Sequence, residues 1–317
     1  METTENAVIC TDLVKVYGDK GKSPVRALDY LSLEIHRGEI FGILGRNGAG
    51  KTTLLRILTT LIPPTSGTAS IMGFDVTSDP RRVRDHLCVV LQENAVEVFL
   101  SVEDNFRTYA RFHSLSSEQF RRNADRVMNQ FGLTEHRNQK VIDLSGGLKR
   151  RVQVAKVFMV DKPVVFLDEA TTGMDPINKR ATLDAIREQA RLGRTIVLTT
   201  HMLQEAEELC NRIAIIDRGK LVALGDLPTI KALASDVYDV SVTFEVLTAD
   251  AREHLQSLPL LKLEHTNNTA SFSVKGSEAL GIITALSHRH TILHFEASSA
   301  SLEDVFLELL SREEKPT

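Results

Sequence analysis

One segment constrains this chain more than any other, because an apolar run, a glycine-rich turn and a helical pattern follow one another directly. The turn reads Gly45-Arg46-Asn47-Gly48-Ala49-Gly50-Lys51-Thr52, a full match to G-x-x-x-x-G-K-[ST]. It follows the buried-strand candidate Ile40–Leu44, and the helical pattern after it stops near Thr60. Glycines let backbone N–H groups point at phosphate oxygens, and the helix adds its positive end. The segment predicts a phosphate-binding loop in an α/β fold.

The loop also supplies side chains for a nucleotide. Lys51 is expected to place a point charge on the β- and γ-phosphates, and the Thr52 hydroxyl to ligate Mg²⁺. A glycine-rich turn before a helix can arise by chance, but here every fixed position and the strand–helix context are present. The candidate binding residues of the loop are Gly45, Arg46, Asn47, Gly48, Ala49, Gly50, Lys51, Thr52 and Thr53.

A second apolar run, Val164–Leu167, ends in the carboxylates Asp168 and Glu169. Asp168, at the carboxyl end of a strand, can hold Mg²⁺ opposite Thr52. Glu169 is then placed to orient or deprotonate an attacking water. An acidic cap on a helix that follows a strand is a common alternative for such a pair, and the pair alone leaves it open.

The segment Leu144-Ser145-Gly146-Gly147, followed by the basic Leu148-Lys149-Arg150-Arg151, resembles the signature motif of ABC ATPases. Ser145 stands 23 residues before Asp168, at the spacing of that family. A serine hydroxyl and glycine N–H groups at a helix start can bind phosphate. The alternative without a ligand is an ordinary serine cap of a helix. The resemblance implies that Ser145, Gly146 and Gly147 face the ATP bound by a second subunit in a head-to-tail dimer.

Four further residues resemble family elements by position. Gln92 resembles the Q-loop glutamine that touches Mg²⁺ and the water, and Asp175 the D-loop aspartate at the dimer interface. His201 resembles the switch histidine on the γ-phosphate, and Tyr17 the aromatic that stacks on adenine, a place for which Tyr30 also competes. The resemblance implies ATP and Mg²⁺ as cofactors, a metal site of Thr52, Gln92 and Asp168, and catalytic roles for Glu169, His201, Gln92 and Lys51.

Departures from the family pattern are Leu148 and Met174, where Gln and Leu are commoner, and Ala155-Lys156-Val157 in place of Ala-Arg-Ala. None removes a phosphate, metal or water ligand. The tail Ser301-Leu302-Glu303-Asp304-Val305-Phe306-Leu307 is similar to that of the daunorubicin-resistance-type drug exporter ATPases. The expected function is therefore the ATP-hydrolysing subunit of an ABC exporter.

The composition predicts where this subunit works. The longest charge-free run, 57–74, contains prolines and hydroxyl residues and is no membrane span, so we expect separate transmembrane permease subunits to hold the chain at the cytoplasmic membrane face. Three scattered cysteines suit a reducing compartment. Net charge is −4, with 7 basic and 13 acidic residues in 231–317, and without a basic surface no nucleic acid is expected as a partner.

Alternating strand and helix patterns predict a mostly parallel sheet flanked by helices. The resemblance adds an antiparallel β subdomain and a helical subdomain, at about 95–150, to a nucleotide-binding domain over 1–228. From 229 to 317 the order βαββαβ predicts a small α+β, ferredoxin-like accessory or dimerisation domain. Ser301 and Asp304 predict the cap of its last helix.

Two alternatives stay open at this point. A soluble ABC ATPase that acts on DNA or ribosomes needs no membrane partner, but such proteins generally carry coiled-coil insertions or two cassettes. One motif set and no heptad run are present here. A nucleotide-gated scaffold that does not hydrolyse ATP is disfavoured by the intact pair Asp168-Glu169.

Overall fold

The computed structural model describes residues 5–18, 23–92, 95–233, 237–299 and 301–313. The chain divides into two compact units, Met1–Leu224 and Gly225–Thr317. The domain boundary at residue 228 stays a prediction from the sequence. Each unit has its own sheets, helices and core.

Strands dominate the sequence of the first unit on both sides of the glycine-rich turn. Its strands are β1 (Asn6–Tyr17), β2 (Val25–His36), β3 (Ile40–Leu44), β4 (Ser66–Ile71), β5 (Phe74–Asp75), β6 (Leu87–Val90), β7 (Val164–Asp168), β8 (Thr195–Thr200), β9 (Arg212–Asp217) and β10 (Lys220–Asp226). Its helices are α1 (Lys51–Leu58), α2 (Pro80–Asp85), α3 (Val102–Phe112), α4 (Ser117–Gln130), α5 (Gly146–Val157), α6 (Pro176–Arg191) and α7 (Leu203–Leu209).

Two sheets form the first unit. The larger has the strand order β10-β9-β3-β8-β7-β6, with parallel pairing from β9 through β3, β8 and β7 to β6. Every residue of β3, β7 and β8 is buried, as expected for strands covered on both faces of a parallel sheet. The smaller sheet is antiparallel, in the order β2-β1-β4-β5. The predicted parallel core and antiparallel subdomain are both confirmed.

The predicted helical subdomain consists of separate helices, each with a serine at its N-terminal cap. The hydroxyls of Ser101, Ser116 and Ser145 accept hydrogen bonds from the backbone N–H groups of Asp104, Gln119 and Leu148, and thereby cap α3, α4 and α5. Ser114, two residues after α3, and Gly132, two residues after α4, have a left-handed backbone conformation where the chain leaves each helix. Short 3₁₀ turns at Thr134–His136 and Val141–Asp143 then lead to α5.

The second unit contains β11 (Val237–Phe244), α9 (Ala249–Ser257), β12 (Lys262–Thr266), β13 (Thr269–Lys275), α10 (Gly276–Arg289), β14 (Ile292–Ser299) and α11 (Leu302–Glu313), preceded by α8 (Leu227–Lys231). Its sheet has the order β12-β13-β11-β14, with every neighbouring pair antiparallel. The predicted element order is present, and Ser301 and Asp304 exchange the expected capping hydrogen bonds. The classification of this unit as ferredoxin-like stays a prediction.

Separate apolar cores stabilise the two units. The core of the first includes Phe41, Leu54, Phe166 and Val197, and that of the second is centred on residues such as Leu286. Burying a side chain of this size contributes about 1.5–3 kcal/mol. In the described ranges, no helix combines the length and the apolar character needed to cross a bilayer.

Candidate functional site

The glycine-rich turn forms the loop between β3 and α1, as the sequence predicts. Gly48 and Gly50 have φ values of 84° and 109°, in the left-handed region that side chains avoid. A Cβ at Gly50 would also lie 2.5 Å from the carbonyl oxygen of Ala27. Only glycine at position 50 lets the loop curl this tightly at the start of α1.

Lys51 lies inside the curl of this loop. Its Nζ donates to the carbonyl oxygens of Gly45, at 2.8 Å, and Arg46, at 3.2 Å, and the residue is 6% exposed. Burial lowers the pKa of the Lys51 ammonium, while the carboxylates of Glu169 and Asp168 raise it. The ammonium is therefore held at the loop by carbonyl dipoles and by two nearby negative charges.

Asp168 is the last residue of β7, and only 2% of it is exposed. The Thr199 hydroxyl of the neighbouring strand β8 donates to its Oδ1. Burial is the main cause that raises the pKa of the Asp168 carboxyl, and the Glu169 charge adds to it, whereas the Thr199 hydrogen bond, Lys51 and Arg150 lower it. A buried carboxylate of this kind favours a cation as a partner.

Glu169 adopts φ 47°, an uncommon conformation for a residue that is not glycine. This turn directs its side chain between two others. Oε2 accepts from Gln92 Nε2 at 3.2 Å, and Oε1 lies 3.1 Å from His201 Nδ1. The three residues that the sequence names as catalytic, other than Lys51, thus form one cluster, which we call the Glu169 cluster.

A cavity of about 370 Å³ lies between the loop and the Glu169 cluster. Its lining joins the turn after β3 to residues that follow β6, β7 and β8. The lining residues are Ala27, Asn47, Gly48, Ala49, Gly50, Lys51, Thr52, Thr53, Gln92, Glu169 and His201. Predicted residues more than 100 positions apart therefore line one space at the carboxyl ends of parallel strands, the usual place of ligands in such sheets.

Predicted residues outside that lining fall into three groups. Gly45 and Arg46 contact Lys51 through their carbonyls, and Asp168 is buried beside Thr199. Tyr17 is 40% exposed and pairs with Val25 across the β1–β2 ladder. Val25 stands two residues before Ala27, which lines the cavity. Tyr30 is 65% exposed and has a φ of 52°. Ser145, Gly146, Gly147 and Asp175 form the third group, away from the cavity lining.

This third group brings the starts of α5 and α6 together. Ser145 caps α5, and Asp175 caps α6 by accepting from the N–H groups of Ile177 and Asn178. A Cβ added to Gly147 would lie 2.9 Å from Asp175 Oδ2. Gly147 and Asp175 are therefore close to each other, and neither belongs to the cavity lining next to the phosphate-binding loop.

Sequence reasoning missed two residues of the site. Ala27 lines the cavity from β2, and no motif marks it. The sequence marks Arg150 only as part of a basic helix start, yet its guanidinium donates to the backbone carbonyls of Gln92 and Glu169. Its position in the second turn of a helix that begins at a capped Ser-Gly-Gly could have indicated an inward-facing charge.

Comparison with known proteins identifies the family. The model of the family described as ABC transporter matches residues 28–172. The doxorubicin resistance ATP-binding protein DrrA of Mycobacterium tuberculosis is 39% identical over 251 residues, 79% of this chain and 75% of the relative. The chain belongs to the ABC transporter family. The daunorubicin/doxorubicin resistance protein DrrA of Streptomyces peucetius is 34% identical over 308 residues, 96% of this ABC protein and 92% of the relative.

Another relative is the Nod factor export ATP-binding protein I of Cupriavidus metallidurans, 34% identical over 94% of this chain and 95% of its own length. Among solved structures, a dimeric ATP-binding cassette bound to ADP and Pi has a TM-score of 0.63 at 26% identity, over 69% of this chain and 98% of that one. An ATP-binding subunit of an ABC transporter has a TM-score of 0.63 at 27% identity, over 71% and 92%.

The family and the site geometry agree. This chain is the ATP-binding subunit of an ABC transporter, and it is an ABC-type ATPase. The predicted resemblance to the daunorubicin-resistance proteins is confirmed over most of the chain. The similar cassette bound to ADP and Pi is dimeric, and so is a further solved structure of a bacterial ABC transporter cassette.

Proposed function

We propose that two copies of this chain, or this chain and a close homologue, close head-to-tail on two ATP molecules and power export through separate permease subunits. The observation that carries the proposal is the Glu169 cluster, which faces the phosphate-binding loop across one cavity. A carboxylate held there between an amide and an imidazole is suited to orient water toward a bound γ-phosphate.

In this proposal the loop N–H groups and Lys51 bind the β- and γ-phosphates. Glu169 holds the attacking water and takes its proton, while Gln92 and His201 fix the direction of the carboxylate. Lys51 and the helix start stabilise the charge that develops on the transferred phosphoryl group. Tyr17, the last residue of β1, is proposed to stack on adenine.

The residues present also fit Mg²⁺. Thr52 and Gln92 line the cavity, and the buried Asp168 carboxylate lies close enough to Lys51 to raise its pKa. Mg²⁺ prefers oxygen ligands and is typically held by one or two carboxylates together with substrate phosphates. When bound, Mg²⁺ would neutralise phosphate charge.

The position of Ser145 and Gly146 supports the need for a second copy of the chain. Ser145 and Gly146 lie at a helix start outside the cavity of their own chain. Apart from its two chain neighbours and the backbone of α5, no described atom lies within 4 Å of a Cβ added to Gly146. Backbone N–H groups and a serine hydroxyl at such a place can bind a phosphate from outside. We propose that they contact the γ-phosphate in the partner's cavity, with Asp175 at the same interface and the second unit as an accessory dimerisation domain.

A surface of the helical subdomain supports a permease partner. Phe99, Leu100 and Ile142 are exposed, and backbone hydrogen bonds from Val141 to Leu100 and from Ile142 to Val98 hold their segments together. We call these three residues the apolar patch. Exposed apolar clusters of this kind mark interaction sites. The relatives named for drug resistance and Nod factor export favour an exporter, bound at the cytoplasmic membrane face through its permease.

The first test is the Glu169→Gln variant. It keeps the shape of the side chain but removes the base, so the rate of ATP hydrolysis is expected to fall by about 10²-fold or more while ATP affinity is retained. Glu118→Gln, an exposed change in α4, is the control and should leave the rate unchanged. Hydrolysis by the Glu169→Gln protein at the wild-type rate would remove Glu169 from the mechanism.

The second test addresses the partner. Tagged Glu169→Gln protein with ATP is used to capture partners from detergent-solubilised native membranes. Recovery of a polytopic membrane protein, reduced by Phe99→Ser in the apolar patch, supports the transporter assignment. Recovery of ribosomes or DNA alone would instead favour a soluble ABC ATPase, and no nucleic acid is expected.

A further inference from the structure

Arg150 is a buried arginine, and among the described residues its side chain donates hydrogen bonds to backbone carbonyls alone. It lies in α5 and is 8% exposed. Nη1 donates to Leu91 at 3.0 Å and Gln92 at 3.4 Å, on the segment that follows β6. Nη2 donates to Asp168 at 2.8 Å and Glu169 at 3.0 Å, and Nε to Ala170 at 3.0 Å, at the end of β7.

One guanidinium therefore joins two segments that each carry a residue of the Glu169 cluster. β6 and β7 are neighbouring parallel strands, but their ladder ends at the pair Val90–Leu167. Beyond it, the backbones of Gln92 and Glu169 diverge from strand geometry. Arg150 spans this gap, while the side chains of Gln92 and Glu169 meet at 3.2 Å on the cavity side.

Burying the charged Arg150 guanidinium costs free energy unless hydrogen bonds replace the contacts with water. Burial lowers the pKa of the Arg150 guanidinium, and the charges of Asp168 and Glu169 raise it. A buried cation is tolerated only when its donors are satisfied. Here five contacts satisfy them, and they fix the carbonyls around Glu169, whose φ of 47° is uncommon without support from its surroundings.

Two more residues extend the contact along the same face of α5. Gln153, three residues after Arg150, donates through Nε2 to Leu91 O at 3.1 Å. Lys156, three residues further, donates through Nζ to the carbonyl oxygen of Ala95. Since residues three apart share a helix face, one face of α5 contacts both Leu91 and Ala95. The helix that Ser145 starts is thus attached to the Gln92 segment of the same chain.

We infer that Arg150 is a positioning residue for ATP hydrolysis. It holds Gln92 and Glu169 in their mutual orientation and ties that orientation to the signature helix. Any movement of Ser145 with α5 therefore moves the backbone that carries the water-orienting carboxylate. The inference rests on the proposed role of Glu169, and it assigns Arg150 no contact with nucleotide.

Arginine rather than lysine is required for this role. The planar guanidinium presents donors in a fixed fork that can reach both segments at once, whereas a lysine ammonium is a single point. Arg150→Lys keeps the charge and would contact one segment at most. If Arg150 served only to supply positive charge near Asp168, lysine would restore activity.

The test compares Arg150→Lys and Arg150→Met with Arg194→Met. Arg194 is a comparably buried arginine, and it donates to the carbonyl oxygens of Val160 and Lys162, outside the cavity lining. We expect both Arg150 variants to lose about tenfold or more in kcat, with ATP affinity within about twofold of wild type. The Arg194 variant should lose stability but keep kcat. Thermal unfolding of all three separates folding defects from rate defects.

A double variant completes the test. If Arg150 acts through Glu169, adding Arg150→Lys to Glu169→Gln should lower kcat by less than about twofold further. A multiplicative loss, or full activity of Arg150→Lys, would overturn the inference. Wild-type activity of the single Glu169→Gln protein would instead refute the proposed function, whatever the Arg150 variants do.

Discussion

Asp168 is the residue whose ionisation most directly links the site to the stability of the fold. Its pKa lies above the ordinary value, chiefly because it is buried. A raised folded-state pKa means that the folded chain binds the proton more tightly than the unfolded chain. The corresponding stability is fully present below the unfolded-state pKa, near the ordinary aspartate value of 3.8, and is lost as pH rises through the folded-state pKa.

Asp168→Asn should therefore be more stable than wild type at neutral pH without Mg²⁺. Asparagine keeps an oxygen that accepts from Thr199 but cannot ionise. The difference in unfolding free energy should shrink as pH falls toward about 4. Denaturant unfolding in EDTA at several pH values measures it, with the exposed Asp143→Asn as the control. A variant less stable than wild type at neutral pH would show that Lys51 and Arg150 outweigh burial.

Residue identity predicts some features of the site and not others. The positions of Lys51, Asp168, Glu169 and His201 in one region follow from motifs at the carboxyl ends of strands. The conformation of Glu169 does not, because a left-handed glutamate carries no sequence signal. The contacts of Arg150 could not be predicted for a similar reason, because its partners are backbone carbonyls, which every residue has.

At the scale of elements, the two glycines at the start of α5 have different surroundings. A Cβ at Gly147 would lie 2.9 Å from Asp175 Oδ2 and 3.1 Å from Asn178 Nδ2, so this glycine allows α5 to pack against the start of α6. Around Gly146, no described atom other than those of its chain neighbours and the α5 backbone lies within 4 Å of an added Cβ. Nothing within the described part of one chain explains a glycine at position 146, whereas a phosphate from a second copy would.

Gly146→Ala and Gly147→Ala should therefore fail differently. Gly147→Ala should lose about 1–3 kcal/mol of stability through overpacking. Gly146→Ala should fold as well as wild type and bind ATP in its own cavity, yet lose ATP-dependent dimerisation and about tenfold or more in hydrolysis. Thermal unfolding, ATP titration and size-exclusion chromatography with ATP measure these effects. Full hydrolysis by Gly146→Ala would contradict the approach of α5 to a partner's nucleotide.

Elements with strong local signals are predicted best. The strands Ile40–Leu44 and Val164–Asp168 and the seven-element order of the second unit follow from apolar patterns and turn residues. The antiparallel pairing of β1 with β4 does not, because the strands are far apart in the chain and pairing depends on tertiary packing. The breaks within the helical subdomain depend on left-handed residues such as Ser114, which has no strong preference for that conformation.

At the scale of the whole molecule, two cores imply two folding units. The cluster around Phe41 and Phe166 and the cluster around Phe244 and Leu286 have no residue in common. The uneven charge agrees with a difference in role, since the second unit is acidic while the first contains the nucleotide site. Stability of one unit should therefore be separable from ligand binding by the other.

Leu286→Ala tests this separation. Leu286 is fully buried in α10, and its truncation should cost about 2–5 kcal/mol, all of it in the second unit. Calorimetry should then resolve an early transition that ATP does not shift, while ATP affinity stays at the wild-type value. Leu55→Ala, equally buried in α1 directly after the phosphate-binding loop, is the matched control and should lower the ATP-sensitive transition instead. Since we assign dimerisation to the second unit, Leu286→Ala should also reduce the ATP-dependent dimer. A single transition with lost ATP binding would mean that the two units fold as one.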